Sequence, residues 1–393
     1  MLELLFLLLP VAAVYGWYMG YRSANKSKDE VRNKLSRDYV TGVDFLLSNQ
    51  PDKAVDLFLD ILQKQEQENE IESSSQFEAE LTLGNLFRSR GEVDRALRIH
   101  QNLNKNPNYS FEQKLIAKQQ LAKDFMVIGF YDRAENLYIS LVDEPDFAEN
   151  ALQQLTLIYE KTKEWQKAIN VAEKLAHIVP IENNIPLSHY YCEYAISLDN
   201  TKEKEIVSLL EKALQVSHSC IRASILLAEN QMINLEYQTA ISTLQNVLQQ
   251  NPTYIGEVLP ALKYCYQEIK HFNDFELFLI KVSQSYINSN VDLALVDLTE
   301  ENEGLLAAQA KLYQQLNKNP STLLFSRFIA YQVKLADTER SKESFLLLQR
   351  IVDEYISREF GYRCHYCGYQ SHKLTWYCPS CRQWEGVEPI SSL

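Results

Sequence analysis

The sequence repeats one spacing of small and bulky residues along most of its length, and this repeat limits the fold more than any other feature. A small residue is followed twelve positions later by a second one, and four positions after that by a bulky residue. The copies are Gly42, Ala54 and Phe58; Gly84, Ala96 and His100; Ala122, Ala134 and Tyr138; Thr156, Ala168 and Ala172; Ala195, Val207 and Glu211; Ala228, Ala240 and Leu244; and, degraded, Lys263, Phe275 and Leu279. Their starting positions are 33 to 42 residues apart, which is typical of stacked helix pairs.

This spacing is typical of tetratricopeptide repeats, in which small residues let two antiparallel helices approach and bulky residues fill the gap to the next pair. One pair cannot bury its apolar face, so stacking of neighbours supplies the core. We therefore predict an all-α superhelix of about seven repeats over residues 38–290, followed by a diverged terminal repeat and capping helices over residues 291–357. The predicted helices of this terminal part are Leu305–Leu316, Thr322–Leu335 and Ser344–Ile356.

Composition and charge argue against several classes of function. Only 11 of the 393 residues are glycine, and no glycine-rich phosphate-binding motif is present. The formal net charge of −13, without a basic stripe, argues against a nucleic-acid partner. Nor do the repeats present a nucleophile, a base and an orienting group at fixed spacing, so we expect recognition rather than catalysis. Candidate partner contacts on the concave face are Asn85, Arg88, Lys123 and Met126, although ordinary solvated residues would look the same.

The amino-terminal segment predicts a membrane anchor. Residues Leu4 to Tyr21 carry no charge, and 18 residues of helix nearly span a hydrocarbon layer of ~30 Å. The basic residues Arg22, Lys26 and Lys28 follow the span, which favours a cytoplasmic location for the rest of the chain. We assign residues 1–21 to the anchor and 22–37 to a linker. Gly16 and Gly20 form a G-x-x-x-G pair that would allow a homodimer, or would simply pack at the interface.

Four cysteines near the carboxyl terminus have the spacing C-x2-C-x10-C-x2-C, which is typical of a metal site. The ligands are Cys364, Cys367, Cys378 and Cys381, with Gly368 and Pro379 suited to the two tight turns. A tetrahedral set of four sulfurs fits zinc or a single iron ion. The knuckles resemble those of rubredoxin, so we assign one iron to a rubredoxin-like module over residues 358–393, with zinc as the alternative.

Other residues of the module and the remaining cysteines are expected to have structural roles. We expect Trp376, Tyr377 and Trp384 to shield the sulfurs and pack against the last helices. Three further cysteines are scattered through the helical pattern, and such cysteines usually behave as small buried hydrophobic residues: Cys192, Cys220 and Cys265.

The order of these parts resembles one family over the whole chain. An anchor beginning MLELLFLLLPVAAVYGWYMG, tetratricopeptide repeats and a terminal tetracysteine module together resemble the lipopolysaccharide assembly protein B family of Gram-negative bacteria. The resemblance implies a single-pass inner-membrane protein that faces the cytoplasm. It also implies that the protein restrains lipopolysaccharide synthesis by delivering LpxC, the committed-step deacetylase of lipid A synthesis, to the membrane protease FtsH. A third implied partner is an inner-membrane regulator of that balance.

Three interpretations of the function follow. A non-enzymatic adaptor and scaffold is favoured, because a tether fixes the recognition surface at the membrane and raises the effective concentration of its partners. A rubredoxin-like electron-transfer protein is a second interpretation. A passive assembly platform for lipopolysaccharide enzymes is a third, and it overlaps the first.

Overall fold

The computed structural model describes residues 51–67 and 73–390, together with isolated positions between 17 and 50. The predicted anchor, the linker and the Gly16–Gly20 pair lie outside these described ranges. Within the part of the chain that is described, none of the helices has the length and apolar character needed to cross a membrane.

The chain folds into two compact units, of which the first ends at Thr162 and the second begins at Lys163. The first unit is a succession of antiparallel helices: α1 (Pro51–Gln67), α2 (Ser73–Ser89), α3 (Val93–Lys105), α4 (Phe111–Ile128), α5 (Tyr131–Ile139) and α6 (Pro145–Thr162). Gly91 and Gly129 separate paired helices and have φ angles of 81° and 82°, in the left-handed region that favours glycine.

The small residues of the repeat lie where helices approach closely. A Cβ atom on Gly84 would lie 2.4 Å from Nε2 of His100, so only glycine fits between α2 and α3 at this height. The paired signature residue Ala96 and the bulky His100 are both fully buried. The repeat spacing therefore has the packing role predicted for it in this unit.

The second unit continues with helices and ends in a small sheet. Its helices are α7 (Trp165–Ile178), α8 (Ile185–Ser197), α9 (Glu203–Val216), α10 (Ile221–Ile233), α11 (Tyr237–Gln245), the short α12 (Val247–Gln250), α13 (Ile255–Glu268), α14 (Phe272–Ser285), α15 (Ser289–Glu303), α16 (Leu305–Lys318), α17 (Thr322–Leu335) and α18 (Glu339–Arg358). A large apolar cluster runs from Ile221 to Leu298, and Leu374 and Trp376 of the terminal segment pack against it.

The fifth copy of the repeat spacing is wrong at its second and third positions. Val207 is half-buried and Glu211 is exposed, whereas Leu210 and Ala213 are the deeply buried residues of α9. A 3-10 turn at Asn200–Lys202 lengthens the connection between α8 and α9. The inserted turn shifts the buried face of α9 relative to the spacing of the other copies.

The terminal segment is a three-stranded antiparallel sheet in the order β2-β1-β3. Its strands are β1 (Tyr362–Cys364), β2 (Gln370–Ser371) and β3 (Val387–Pro389). In the register Cys364 pairs with Val387, which places the first cysteine beside a fully buried valine of β3.

A candidate tetracysteine metal centre and its seat on the helices

The structure brings the four predicted cysteines together. Their sulfurs all lie within 4.8 Å of one another. The Sγ atoms of Cys364 and Cys381 are 3.7 Å apart, as are those of Cys367 and Cys378. Metal–sulfur bonds of ~2.3 Å in a tetrahedron put the sulfurs about 3.8 Å apart, so this donor set fits one ion.

Each pair of cysteines lies on a tight turn closed by a backbone hydrogen bond. The amide of Gly368 donates to the carbonyl oxygen of Cys364, and the amide of Arg382 donates to that of Cys378, both at 2.9 Å. Gly368 has a φ angle of 75° and Arg382 one of 60°. The second turn therefore places an arginine in the left-handed conformation that glycine adopts in the first, a position that the sequence did not reveal.

The backbone and a close glycine shape the surroundings of the sulfurs. A Cβ atom on Gly386 would lie 3.0 Å from Sγ of Cys364, so a side chain there would crowd the ligand. The amide of Tyr369 lowers the pKa of Cys367 to about 6, whereas burial raises the pKa of Cys381 to about 12. Because an ion requires thiolates, its binding would displace protons and weaken as the pH falls. The ion would supply cross-linking of the two turns in a segment too short for its own core.

The tryptophans of the module face the middle helices of the second unit. Trp384 stacks on the ring of His189 with centroids 4.7 Å apart, and it meets Tyr190 edge-on at 6.1 Å. Trp376 stacks on Tyr254 at 5.7 Å. The contacts of these rings are therefore with α8 and with the turn before α13. The expected packing against the last helices is wrong for both tryptophans.

Polar bonds accompany the ring contacts. The hydroxyl of Tyr254 donates to the backbone carbonyl of Val387 at 2.9 Å, and the hydroxyl of Tyr362 donates to Glu257 at the same distance. Burial and then the bond to Glu257 raise the pKa of Tyr362 to about 12. The metal module is thus bonded to the repeats through side chains on both sides. Sequence spacing gives no sign of these contacts, because the partners are more than 100 residues apart.

The four predicted partner residues lie on α2 and α4 of the first unit, and all are half-buried. Arg88 donates to Asn85, to Gln120 and to the buried carboxylate of Asp124. Burial, with the nearby Arg88 as a second cause, lowers the pKa of Lys123. Arg88 thus stabilises the fold internally, and partner contact by these residues stays a prediction.

Replacing Cys378 with serine is expected to release the ion and loosen residues 362–389, since the fully buried sulfur is one of four ligands. Most helical signal should remain, because repeat helices contact mainly their neighbours. Elemental analysis and circular dichroism of the purified chain measure both effects. Ser380→Ala, within the same turn, is the control and should keep the metal. Full metal content in the Cys378→Ser chain would contradict the four-sulfur assignment.

Comparisons with known families agree with this description. A family described as a rubredoxin metal binding domain matches residues 362–389. A family described as a tetratricopeptide repeat matches residues 151–185. Among solved structures, the chain is similar to a tetratricopeptide repeat protein from Parabacteroides merdae, with 10% identity and a TM-score of 0.36, over 80% of this chain and 98% of that one.

Relatives match the chain over its whole length. The lipopolysaccharide assembly protein B of Haemophilus influenzae is 66% identical over 392 residues, which cover 100% of this chain and 99% of the relative. The protein of the same name from Escherichia coli strain K12 is 44% identical over 394 residues, with the same coverage.

Proposed function

Because the chain belongs to the lipopolysaccharide assembly protein B family, we propose that it is an adaptor that limits lipopolysaccharide synthesis by presenting LpxC to the protease FtsH. In this proposal residues 1–21 anchor it in the bacterial inner membrane, and the repeats face the cytoplasm. An inner-membrane regulator of lipopolysaccharide synthesis is a further proposed partner. The tetracysteine module holds one iron ion, or zinc, and completes the fold.

The observation that supports an adaptor is a half-buried polar surface on neighbouring repeats of the first unit. Arg88 of α2 bonds to Gln120 of α4, which fixes the two helices side by side. Lys123 lies one turn further along α4, where burial and then the charge of Arg88 lower its pKa. The charge of Arg88 is compensated by Asp124, so Lys123 is the cation that this surface offers to an acidic segment of a partner.

Lys123 is a better probe of this surface than Arg88. Reversing the charge at Arg88 would also place a negative charge beside the buried carboxylate of Asp124, which would keep only His100 as a partner, and would disturb the fold. Lys105→Glu is the matched control, since Lys105 is exposed in the last turn of α3 and the change in charge is the same.

The Lys123→Glu chain is expected to capture LpxC at least about tenfold more weakly, a loss of ~1.4 kcal/mol, because a like charge replaces an attractive one. In cells LpxC should then accumulate, with a longer half-life after protein synthesis is blocked. The Lys105→Glu chain should behave as the unaltered protein. If cells that lack the protein altogether show an unchanged LpxC half-life, the adaptor proposal is wrong. An electron-transfer role would then be favoured.

A further inference from the structure

Three side chains from separate parts of the second unit meet beside the tetracysteine module. His189 lies on α8, Cys220 immediately precedes α10, and Glu385 belongs to the module, four residues after its last cysteine. His189 and Cys220 are fully buried, and the side chain of Glu385 is 19% exposed. Three groups able to bind a metal are thus enclosed at the contact between helices and module.

The distances allow one ion to touch all three side chains. A ring nitrogen of His189, the sulfur of Cys220 and a carboxylate oxygen of Glu385 lie within 4.8 Å of one another. Atoms so spaced surround a common centre no farther than about 2.8 Å from any of them. Bonds of ~2.0–2.3 Å, as zinc makes with nitrogen, oxygen and sulfur, would require movements of at most about 0.5–0.8 Å.

Unsatisfied bonding capacity remains at this place. Nε2 of His189 is 3.0 Å from Glu385, but Nδ1 is buried without a hydrogen-bond partner. A buried polar atom without a partner is unusual in a folded protein. An ion that binds both Nε2 of His189 and Glu385 would lie between them and take the place of their hydrogen bond.

A second thiol supports an ionised sulfur at Cys220. Cys192 follows His189 by three residues on α8, and its hydrogen bond lowers the pKa of Cys220 to about 6 while its own pKa is raised. Arg222, two residues after Cys220, is ion-paired with Glu193 at 2.8 Å. We predicted Cys192 and Cys220 to be separate buried residues. In the structure they lie together, although they are 28 positions apart in the sequence.

We propose that His189, Cys220 and Glu385 form a second metal site, distinct from the tetracysteine centre and selective for zinc. One nitrogen, one sulfur and one oxygen suit a borderline ion, whereas magnesium and calcium prefer oxygen alone. With two ligands from the helices and one from the module, a bound ion would tie the module to the repeats.

The test is the number of metal equivalents held by the full chain, purified in mild detergent, exposed to excess zinc and then dialysed against metal-free buffer. Two equivalents are expected, one in each site. Cys220→Ala and Glu385→Gln should each reduce the number to one. Glu385→Gln keeps a hydrogen-bond acceptor for His189, so its loss of metal would not stem from a lost contact. Cys265→Ala, at another fully buried thiol, is the control and should hold two.

Cobalt distinguishes the two sites by the number of sulfurs. When cobalt is added to the chain with a filled tetracysteine centre, a further absorption from one thiolate–cobalt bond is expected, and it should be absent in Cys220→Ala. A single equivalent in the unaltered chain would mean a hydrogen-bonded pair only, and the proposal would be wrong. Two equivalents that survive Cys220→Ala would overturn it equally, because the second ion would lie elsewhere.

Discussion

Replacing Asp124 with alanine should destabilise the first unit by about 3–5 kcal/mol, because it removes the shared partner of the half-buried Arg88 and the fully buried His100. The carboxylate of Asp124 is fully buried. It lies 2.9 Å from the guanidinium of Arg88 and 2.5 Å from Nδ1 of His100. Nε2 of His100 already lacks a partner, so the substitution leaves the whole ring unbonded between α2 and α3. Hydrogen exchange of the amides of α2 to α4 measures the loss.

An exposed ion pair in the same unit is the control for this prediction. Asp52 pairs with Arg90 at 2.5 Å, but its side chain is 80% exposed, so water screens the pair. Asp52→Ala should therefore change the free energy of unfolding by less than about 1 kcal/mol. Equal effects of Asp124→Ala and Asp52→Ala would show that the buried network does not stabilise the repeats.

Replacing Trp384 with alanine should detach the metal module from the helices while leaving its ion in place. The ring is 8% exposed and lies against His189, Tyr190 and Tyr377. Loss of a buried tryptophan side chain typically costs about 3–5 kcal/mol, through lost burial and the cavity left behind. Faster protease cleavage after Arg358, together with faster hydrogen exchange of α8, would report the detachment.

The matched control is an exposed ring of the same module. Tyr366 is 59% exposed, and its ring lies tilted against that of His365, with centroids 4.0 Å apart. Tyr366→Ala should leave the module seated, with a change of less than about 1 kcal/mol. Detachment by Tyr366→Ala, or none by Trp384→Ala, would contradict the role given to the tryptophan.

Short-range spacing predicted the local structure well, because its causes are local. The helices expected at Leu305–Leu316 and Thr322–Leu335 are present as α16 and α17, and the turns at Gly91 and Gly129 have left-handed φ angles. The four sulfurs meet because each pair lies on one tight turn and the connection between the turns is short. Signals of this kind need only a few neighbouring residues.

Contacts between distant segments could not be predicted from spacing. Nothing near Trp384 in sequence indicates His189, and nothing near Arg88 indicates that Asp124 would engage it from the next repeat. The failure at Val207 and Glu211 has a related cause, since three residues of turn before α9 changed which of its faces is buried. The proposed second metal site takes its three side chains from three distant segments, so no sequence motif indicates it.

The contacts between the metal module and the helices also determine when this part of the fold can form during protein synthesis. Glu385 bonds to His189 across 196 positions of sequence, and Val387 bonds to Tyr254 across 133. At ~5–20 residues per second, a ribosome needs roughly 10–40 s to reach Glu385 after His189 is joined. Throughout that interval the metal module is not yet present to bury the aromatic face of α8. The fold of the second unit is therefore complete only after Val387 has been made, and an early stop before Tyr362 would leave that face permanently open to chaperones and to aggregation.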